Sequence, residues 1–197
     1  MGINAQRKTA NAANEKKLIH NILIFRSLNL LKQTGLAMNV NEQLINNFYT
    51  AFQQLDYKKM NDCYSEDIVF FDPIFDLLQA HEVKAMWEML CKNAKDFSIV
   101  YGNIQALDEE YYTCDWTATY TFSKTGRKVI NKVKAHMKMA GGKIIEHSDG
   151  FSLHKWSTQA LGFSGWLLGW NSFFQKKIKN NARKTLLKFM QQKMEEA

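Results

Sequence analysis

The sequence predicts an α+β domain in which a curved antiparallel sheet packs against about three helices. Two patterns indicate this fold class. Apolar residues recur at helical spacing between about residues 40 and 94, and from about residue 97 they alternate with polar residues as strands do. The chain has 197 residues, of which 46% are hydrophobic and 13% aromatic, enough for one well-buried domain. Helices followed by a long antiparallel meander are typical of α+β domains.

Three helices and a strand are predicted in the first part of the domain. The first helix covers about 40–55, and its apolar stripe consists of Leu44, Phe48, Phe52 and Leu55. A short helix is expected at about 57–64, a strand at 68–72 and a third helix at 80–94. These helices would cover one face of the sheet.

The sheet is predicted mainly from two segments with a period of two. In residues 112–122 the even positions are apolar and the odd ones polar. In residues 129–139 the odd positions face one way, while lysines and His136 face the other. The sequence AGGK at 140–143 predicts a hairpin turn, and a returning strand is expected at about 144–154.

The domain is expected to be flanked by two extensions. Residues 1–37 are predicted to be a disordered or helical extension, residues 38–160 the domain, and residues 161–197 an aromatic and basic amphipathic helical tail. The net charge is +7, but the basic excess lies at the two ends and the middle is slightly acidic. Because a nucleic-acid-binding domain would carry its basic patch on the fold itself, the sequence does not favour nucleic acid as a partner.

Cysteine usage and hydropathy indicate a cytoplasmic protein. Its three cysteines are widely spaced and odd in number, and there is no CxxC or HExxH pattern for a metal. The most apolar run, at 160–170, is much shorter than the roughly 20 residues of a membrane-spanning helix. We therefore expect no metal site of these patterns and no span across a membrane.

Polar residues on the inner face of the sheet are the strongest functional clue. If Ile145 and Phe151 of the last strand face the core, His147 and Asp149 do so too. Asn131 lies on the inner face of the preceding strand. Buried ionisable groups must be paired, neutralised or open to a cavity. The pair is therefore either an internal hydrogen-bonded pair or the polar wall of a pocket, where Asp149 would act as an acid or base.

Other candidate residues have a structural interpretation as well as a functional one. Asp72 precedes Pro73, the only proline, so it either opens a turn or lies in a pocket as a second acid. Four aromatic residues at periodic positions are either core residues or pocket-lining, ligand-binding residues: Tyr49, Trp87, Trp116 and Tyr120.

The order of these segments resembles a known family over about residues 40–165. The resemblance rests on four segments: the helix NEQLINNFYTAFQQLD, the segment YSEDIVFFDPIF, the strand pair around AGGKIIEHSDGF and the trailing WSTQALG. Together they resemble the cone-shaped nuclear transport factor two-like superfamily, and within it the SnoaL-like branch of polyketide cyclases and ketosteroid isomerase relatives. The resemblance implies an apolar pocket inside the cone, a homodimer through the outer face of the sheet, and no metal or cofactor.

The resemblance also implies roles for individual residues. Asp72 falls where ketosteroid isomerases carry their proton-shuttling Asp-Pro, but their oxyanion tyrosine falls on Phe48. Their second acid falls on Ala135, or on the outward Lys134 if the alignment is shifted by one residue. The Arg-x-Asp of an epoxide-hydrolase relative falls on Val133 and Ala135, which do not supply it. SnoaL-like cyclases fit better, because their acid/base aspartate lies on the last strand, at Asp149.

Three functions therefore remain open. The first is an isomerase, cyclase or hydrolase acting on an apolar, ring-containing substrate, with Asp149 as acid/base, His147 orienting it and Asp72 as a second acid. The second is a non-catalytic module that binds a lipid-like ligand. The third is an interaction protein whose tail contacts a partner or the membrane surface.

Overall fold

A computed structural model describes residues 39–196, so the extension predicted at 1–37 lies outside the described residues. The described chain forms six helices and six strands. In chain order these are α1 (Val40–Gln53), α2 (Tyr57–Asp62), β1 (Tyr64–Asp72), β2 (Asp76–Gln79), α3 (His81–Lys92), β3 (Ser98–Ala106), β4 (Tyr111–Phe122), β5 (Arg127–Ala140), β6 (Lys143–Gly150), α4 (Leu153–Leu161), α5 (Phe163–Leu168) and α6 (Ser172–Glu195).

The strands form one sheet in the order β2-β1-β6-β5-β4-β3. Neighbouring strands are antiparallel except β1 and β6, which run parallel and bring the start of the domain next to its last strand. The predicted α+β fold with a curved sheet and about three covering helices is confirmed, but the sheet is mixed rather than wholly antiparallel because of the β1–β6 pair, and it is not a closed barrel. The short β2 was not predicted, because four residues give too little periodicity to recognise.

The polar and apolar residues that alternate along β5 lie on opposite faces of the sheet, as predicted. Val129, Val133, Ala135, Met137 and Met139 are buried on β5, whereas its lysines face outward. The β5–β6 turn uses Gly141 and Gly142, whose φ angles of 58° and 73° suit glycine. The main core lies between this inner face and helices α1 and α3.

The last strand ends earlier than predicted. We expected it to continue to about residue 154, with Leu153 facing inward, but β6 ends at Gly150 and Leu153 begins α4. The reason is a helix cap, since the Ser152 side chain accepts a hydrogen bond from the backbone N–H of Lys155 at 3.2 Å. Leu153 is still buried, in a second small core with Trp156.

Helix α4 lies against β5 where β6 leaves the sheet. The last β5–β6 pair is Lys134 with Gly150. Further along β5, the side-chain amide of Gln159 accepts from the Ile130 N–H at 2.8 Å and donates to the Ile130 carbonyl at 3.1 Å. The Gln159 side chain thus makes the two hydrogen bonds to the β5 backbone that an adjacent strand would otherwise make.

The C-terminal segment that the sequence separates at residue 161 contains α5 and α6, and α6 packs on α3. Leu186 is completely buried in the main core. The inner side of α6 also forms three ion pairs with the domain: Lys179 with Asp76, Arg183 with Glu82, and Lys193 with Glu88. Every helix within residues 39–196 is too short or too polar to cross a membrane.

Candidate functional site

A line of hydrogen-bonded side chains on the inner side of the sheet contains His147 and Asp149. The hydroxyl of Tyr64 lies 2.7 Å from Nδ1 of His147, and Nε2 of His147 lies 3.1 Å from Oδ1 of Asp149. At one end, Nε1 of Trp87 donates to the Tyr64 hydroxyl at 3.0 Å. At the other, Nε1 of Trp116 donates to Oδ1 of Asp149 at 3.2 Å.

The donors along this line can all point the same way. An indole N–H only donates, so Trp87 donates to the Tyr64 oxygen, and the Tyr64 proton is free to point at Nδ1 of His147. A neutral His147 that accepts at Nδ1 carries its proton on Nε2, where it donates to Asp149. Burial raises the pKa of Tyr64 well above its usual value, which keeps the hydroxyl proton in place. The line therefore ends on the carboxylate of Asp149.

Aromatic rings enclose His147, so it does not reach solvent. Its side chain is 0% exposed, and that of Asp149 is 4% exposed. Phe48 and Phe70 contact the imidazole edge-on, and Trp87 stacks on it with ring centroids 6.2 Å apart. Because both ring nitrogens are occupied, His147 can orient Asp149 but has no polar atom left for a ligand.

Asp72, for which the sequence left a turn role and a pocket role open, is buried at the end of β1 and holds a turn. Its Oδ1 accepts from the N–H groups of Ile74 and Phe75 at 2.8 and 2.5 Å, which is the turn role. Burial raises its pKa from 3.8 to about 7, against the opposing effect of these two N–H groups, and the negative charge of Asp149 raises it further. Since β1 runs beside β6 with Phe70 opposite His147, Asp72 lies close enough to Asp149 for the two charges to interact.

Tyr49 carries a buried hydroxyl that no group within residues 39–196 pairs with. The residue is 0% exposed, and its oxygen has no hydrogen bond among the described residues. Its ring stacks on Tyr101 at 5.1 Å and lies beside Trp116 at 6.3 Å. Burial, and then the charge of Asp149, raise the pKa of Tyr49 well above its usual value, so it remains a neutral donor close to that carboxylate.

The remaining predicted residues lie further along the inner face. The Tyr120 hydroxyl accepts from Nε1 of Trp156 on α4 at 2.8 Å, and burial raises the Tyr120 pKa. Asn131 is half-buried and pairs with Ala118 across the β4–β5 ladder. The structure thus joins four of the eight predicted residues in one hydrogen-bonded line: His147, Asp149, Trp87 and Trp116. Tyr49 and Asp72 lie within electrostatic reach of Asp149, whereas Tyr120 packs against the small core under α4.

Sequence reasoning missed Tyr64 and Trp156. Tyr64 was placed at the end of a helix, but it is the first residue of β1, and its hydroxyl links Trp87 to His147. One signal could have found it, because Tyr64 has the same parity as the inward Ile68 and Phe70. Trp156 was regarded only as part of the trailing motif, and its bond to Tyr120 depends on the early start of α4.

A separate surface depression of about 360 Å³ lies near the start of β1. It is lined by Asn61, Asp62, Tyr64, Ser65, Glu66, Lys84 and Lys143. None of the eight predicted residues lines it, so it does not correspond to the pocket expected from the sequence. Within residues 39–196, no three His, Cys, Asp or Glu side chains gather as metal ligands.

Comparison with known proteins agrees with this architecture. Residues 45–147 match the SnoaL-like domain family. No curated protein matches the sequence.

Solved structures with the same fold include a Catenulispora acidiphila protein described as having a ketosteroid isomerase-like fold, in complex with trimethylamine. It is 9% identical, with a TM-score of 0.53 over 59% of this chain and 91% of that one. A candidate polyketide cyclase from Pseudomonas putida is 19% identical, with a TM-score of 0.52 over 62% and 98% of the two chains. Another, from Xanthomonas campestris, is 16% identical, with a TM-score of 0.51 over 60% and 94%. At these identities the similarity shows the fold alone.

Proposed function

The chain belongs to the SnoaL-like family, and from this premise we propose that it binds an apolar, ring-containing small molecule beside Asp149 on the inner side of the sheet. The observation that carries the proposal is the Tyr49 hydroxyl, which is fully buried and lacks a hydrogen-bond partner among the described residues. Leaving a buried hydroxyl unpaired costs roughly 1–3 kcal/mol, so such a group is expected to serve a ligand or an ordered water.

The chemistry around Tyr49 suits a ligand with a carbonyl or hydroxyl group. Tyr49 offers a neutral donor among the rings of Tyr101 and Trp116, and Asp149 offers an acceptor beside Trp116. An aromatic environment favours a flat, apolar ligand, while the two polar groups would fix its orientation. Trp87 and Trp116 are both joined to the hydrogen-bonded line, so their roles would be to hold that line and border the ligand.

We propose acid/base catalysis as the activity of this site. Asp149 would transfer the proton, and His147 would position Asp149 through its Nε2 hydrogen bond. Asp72, whose pKa is raised to about 7, can be present in either protonation state near neutral pH and would serve as a second acid. Such proton transfers suffice for an isomerisation and assist a cyclisation, in which the substrate supplies both bonding atoms, whereas a hydrolysis also consumes a water molecule that the carboxylate would deprotonate.

The alternative is a binding module without catalysis, and the burial of the pair favours it. Side-chain exposures of 0% for His147 and 4% for Asp149 suit an internal pair that stabilises β6 against β4 and β1. In that case the ligand would be lipid-like and Asp149 would not exchange protons with it.

Ligand binding can be tested with the purified full chain and two variants. Native mass spectrometry would detect a small molecule that co-purifies, and a panel of hydroxylated anthraquinones and steroids would be titrated by quenching of tryptophan fluorescence. We expect saturable binding to the unmodified protein and at least tenfold weaker binding to Tyr49→Phe. Asp149→Asn should bind the same compound and lose turnover if the site is catalytic.

Three outcomes would separate these proposals. No saturable binding in the whole panel, or equal binding by Tyr49→Phe, would contradict the binding proposal. Unchanged turnover by Asp149→Asn would remove Asp149 as the acid/base group. Binding with no turnover of any bound compound by the unmodified protein would favour the non-catalytic module.

Two further expectations also remain proposals. The homodimer through the outer sheet face would have to bury a polar surface, in which threonines of β4 and lysines of β5 surround the exposed Val100 and Ile130. A cytoplasmic location is supported by three cysteines that are free and buried: Cys63, Cys91 and Cys114.

A further inference from the structure

Helix α5 and the start of α6 expose an unusual concentration of large apolar side chains. Five of them form what we call the aromatic patch: Phe163, Trp166, Leu167, Trp170 and Phe173. Phe163, Trp170 and Phe173 are each more than 70% exposed, with values of 74%, 71% and 78%. Contiguous exposed apolar surface of this kind marks an interaction site on a soluble domain.

The outward direction of the patch follows from glycines on the opposite side of α5. A Cβ atom at Gly165 would collide with the Ser157 carbonyl of α4, and one at Gly169 would collide with the Gly165 carbonyl and the Ser157 hydroxyl. The Ser157 hydroxyl also donates to the Gly165 carbonyl at 3.3 Å. Only glycine permits this close contact, so α5 buries its glycines and turns its tryptophans to the outside.

The charge next to the patch has a single sign. Between Gly150 and Met194 the chain contains no aspartate or glutamate, but it carries eight lysines and arginines. Three of these lie on the inner side of α6 in ion pairs with the domain: Lys179, Arg183 and Lys193.

The other lysines of α6 extend the patch along the helix. At about 100° per residue, all four lie within about 60° of the direction of Phe173: Lys176, Lys177, Lys184 and Lys188. They are exposed and have no ion pair with any residue that the structure describes. Basic residues that the domain neutralises therefore face inward, and those that it leaves uncompensated share the outer face with the patch.

We propose that the aromatic patch and this lysine face dock on an anionic phospholipid membrane surface. Tryptophan and phenylalanine rings prefer the interface between headgroups and acyl chains, and lysines beside them are attracted by anionic lipid. A surface that combines uncompensated lysines with exposed rings and a leucine has the chemistry of an interfacial anchor. This docking does not depend on the ligand proposed for Tyr49 and Asp149.

The five tryptophans of the chain make the test specific. Trp87, Trp116 and Trp156 are buried, whereas Trp166 and Trp170 are exposed, so a brominated lipid should quench only the last two. The full chain would be sedimented with vesicles of phosphatidylcholine alone and with vesicles containing about 30% phosphatidylserine. We expect at least tenfold tighter binding to the anionic vesicles, weakening with added salt.

Matched variants distinguish binding through the aromatic patch from nonspecific binding of the protein to vesicles. The double variant W166S/W170S should bind anionic vesicles at least tenfold more weakly, and K177Q/K184Q should lose most of the preference for phosphatidylserine. The control is Val100→Ser, because Val100 is 73% exposed on the sheet and lies outside the patch. All of these side chains are exposed, so circular dichroism and the thermal midpoint should stay unchanged.

The proposal is overturned if the full chain does not sediment with anionic vesicles, or binds neutral ones equally well. It is also overturned if W166S/W170S binds like the unmodified protein. Absence of vesicle binding would leave the aromatic patch to a protein partner, which is a different proposal.

Discussion

The substitution Tyr64→Phe tests whether the buried hydrogen-bonded line stabilises the domain. It removes one oxygen atom and keeps the ring, which is 2% exposed. Two buried groups then lose their partner at once, namely Nε1 of Trp87 and Nδ1 of His147. Each buried polar group left unsatisfied costs about 1–3 kcal/mol, so we expect the free energy of unfolding to fall by about 2–5 kcal/mol.

The chain offers a matched control in Tyr49→Phe. Tyr49 is also fully buried, but its hydroxyl has no hydrogen bond to lose within residues 39–196. The same chemical change should therefore leave the stability unchanged or raise it by up to about 3 kcal/mol, since a buried, unpaired hydroxyl is removed. Urea unfolding at pH 7, followed by circular dichroism, would compare the two variants with the unmodified protein at a common m-value.

Two results of these unfolding measurements would contradict the reasoning. If Tyr64→Phe loses less than about 1 kcal/mol, the hydrogen-bonded line does not stabilise the fold as argued. If Tyr64→Phe and Tyr49→Phe lower the free energy of unfolding equally, loss of any buried phenol oxygen causes the destabilisation. The hydrogen bonds of Tyr64 are then not its cause.

Two further predictions concern Asp72 and helix α6. Burial raises the Asp72 pKa from 3.8 to about 7, so the folded state resists ionisation and loses stability relative to Asp72→Asn as pH rises through that window. The gain of Asp72→Asn over the unmodified protein should grow by about 2–4 kcal/mol between pH 4 and pH 7.5 in urea unfolding, and a constant difference would show that Asp72 titrates normally. Leu186→Ala should cost about 2–4 kcal/mol because Leu186 is completely buried between α6 and the domain, while Leu187→Ala, at a site 49% exposed, should cost far less. Equal losses for the two leucines in thermal unfolding would mean that α6 is not packed on α3.

The half-buried strands were predictable because their two faces differ in polarity. The alternation in β4 and β5 correctly assigned Val133, Ala135 and Met137 to the core and the lysines of β5 to the outside. The same alternation placed His147 and Asp149 on the inner face, where both are buried.

Parity fails at the start of β6, where the register with β5 shifts beside Met139. Ile144 is buried there, and Ile145, which we expected to face the core, is only half-buried. From His147 onward each residue's direction follows its parity along the strand.

Contacts between distant segments were not predictable in this way. Tyr64 meets His147 only because β1 pairs in parallel with β6, and the register between them shifts after Tyr64. Periodicity contains no information on which strands become neighbours. The ion pairs that bind α6 to the domain, such as Arg183 with Glu82, likewise join residues about one hundred positions apart.

The Gln159 amide has a consequence for how this protein avoids self-association. Where β6 leaves the sheet, β5 would present an unpaired backbone edge, which is a template for strands of other chains. Gln159 satisfies both the N–H and the carbonyl of Ile130 at that point. Helix α4 thus caps the exposed edge with one side chain, and cross-strand aggregation through β5 would first have to break two hydrogen bonds and displace the helix.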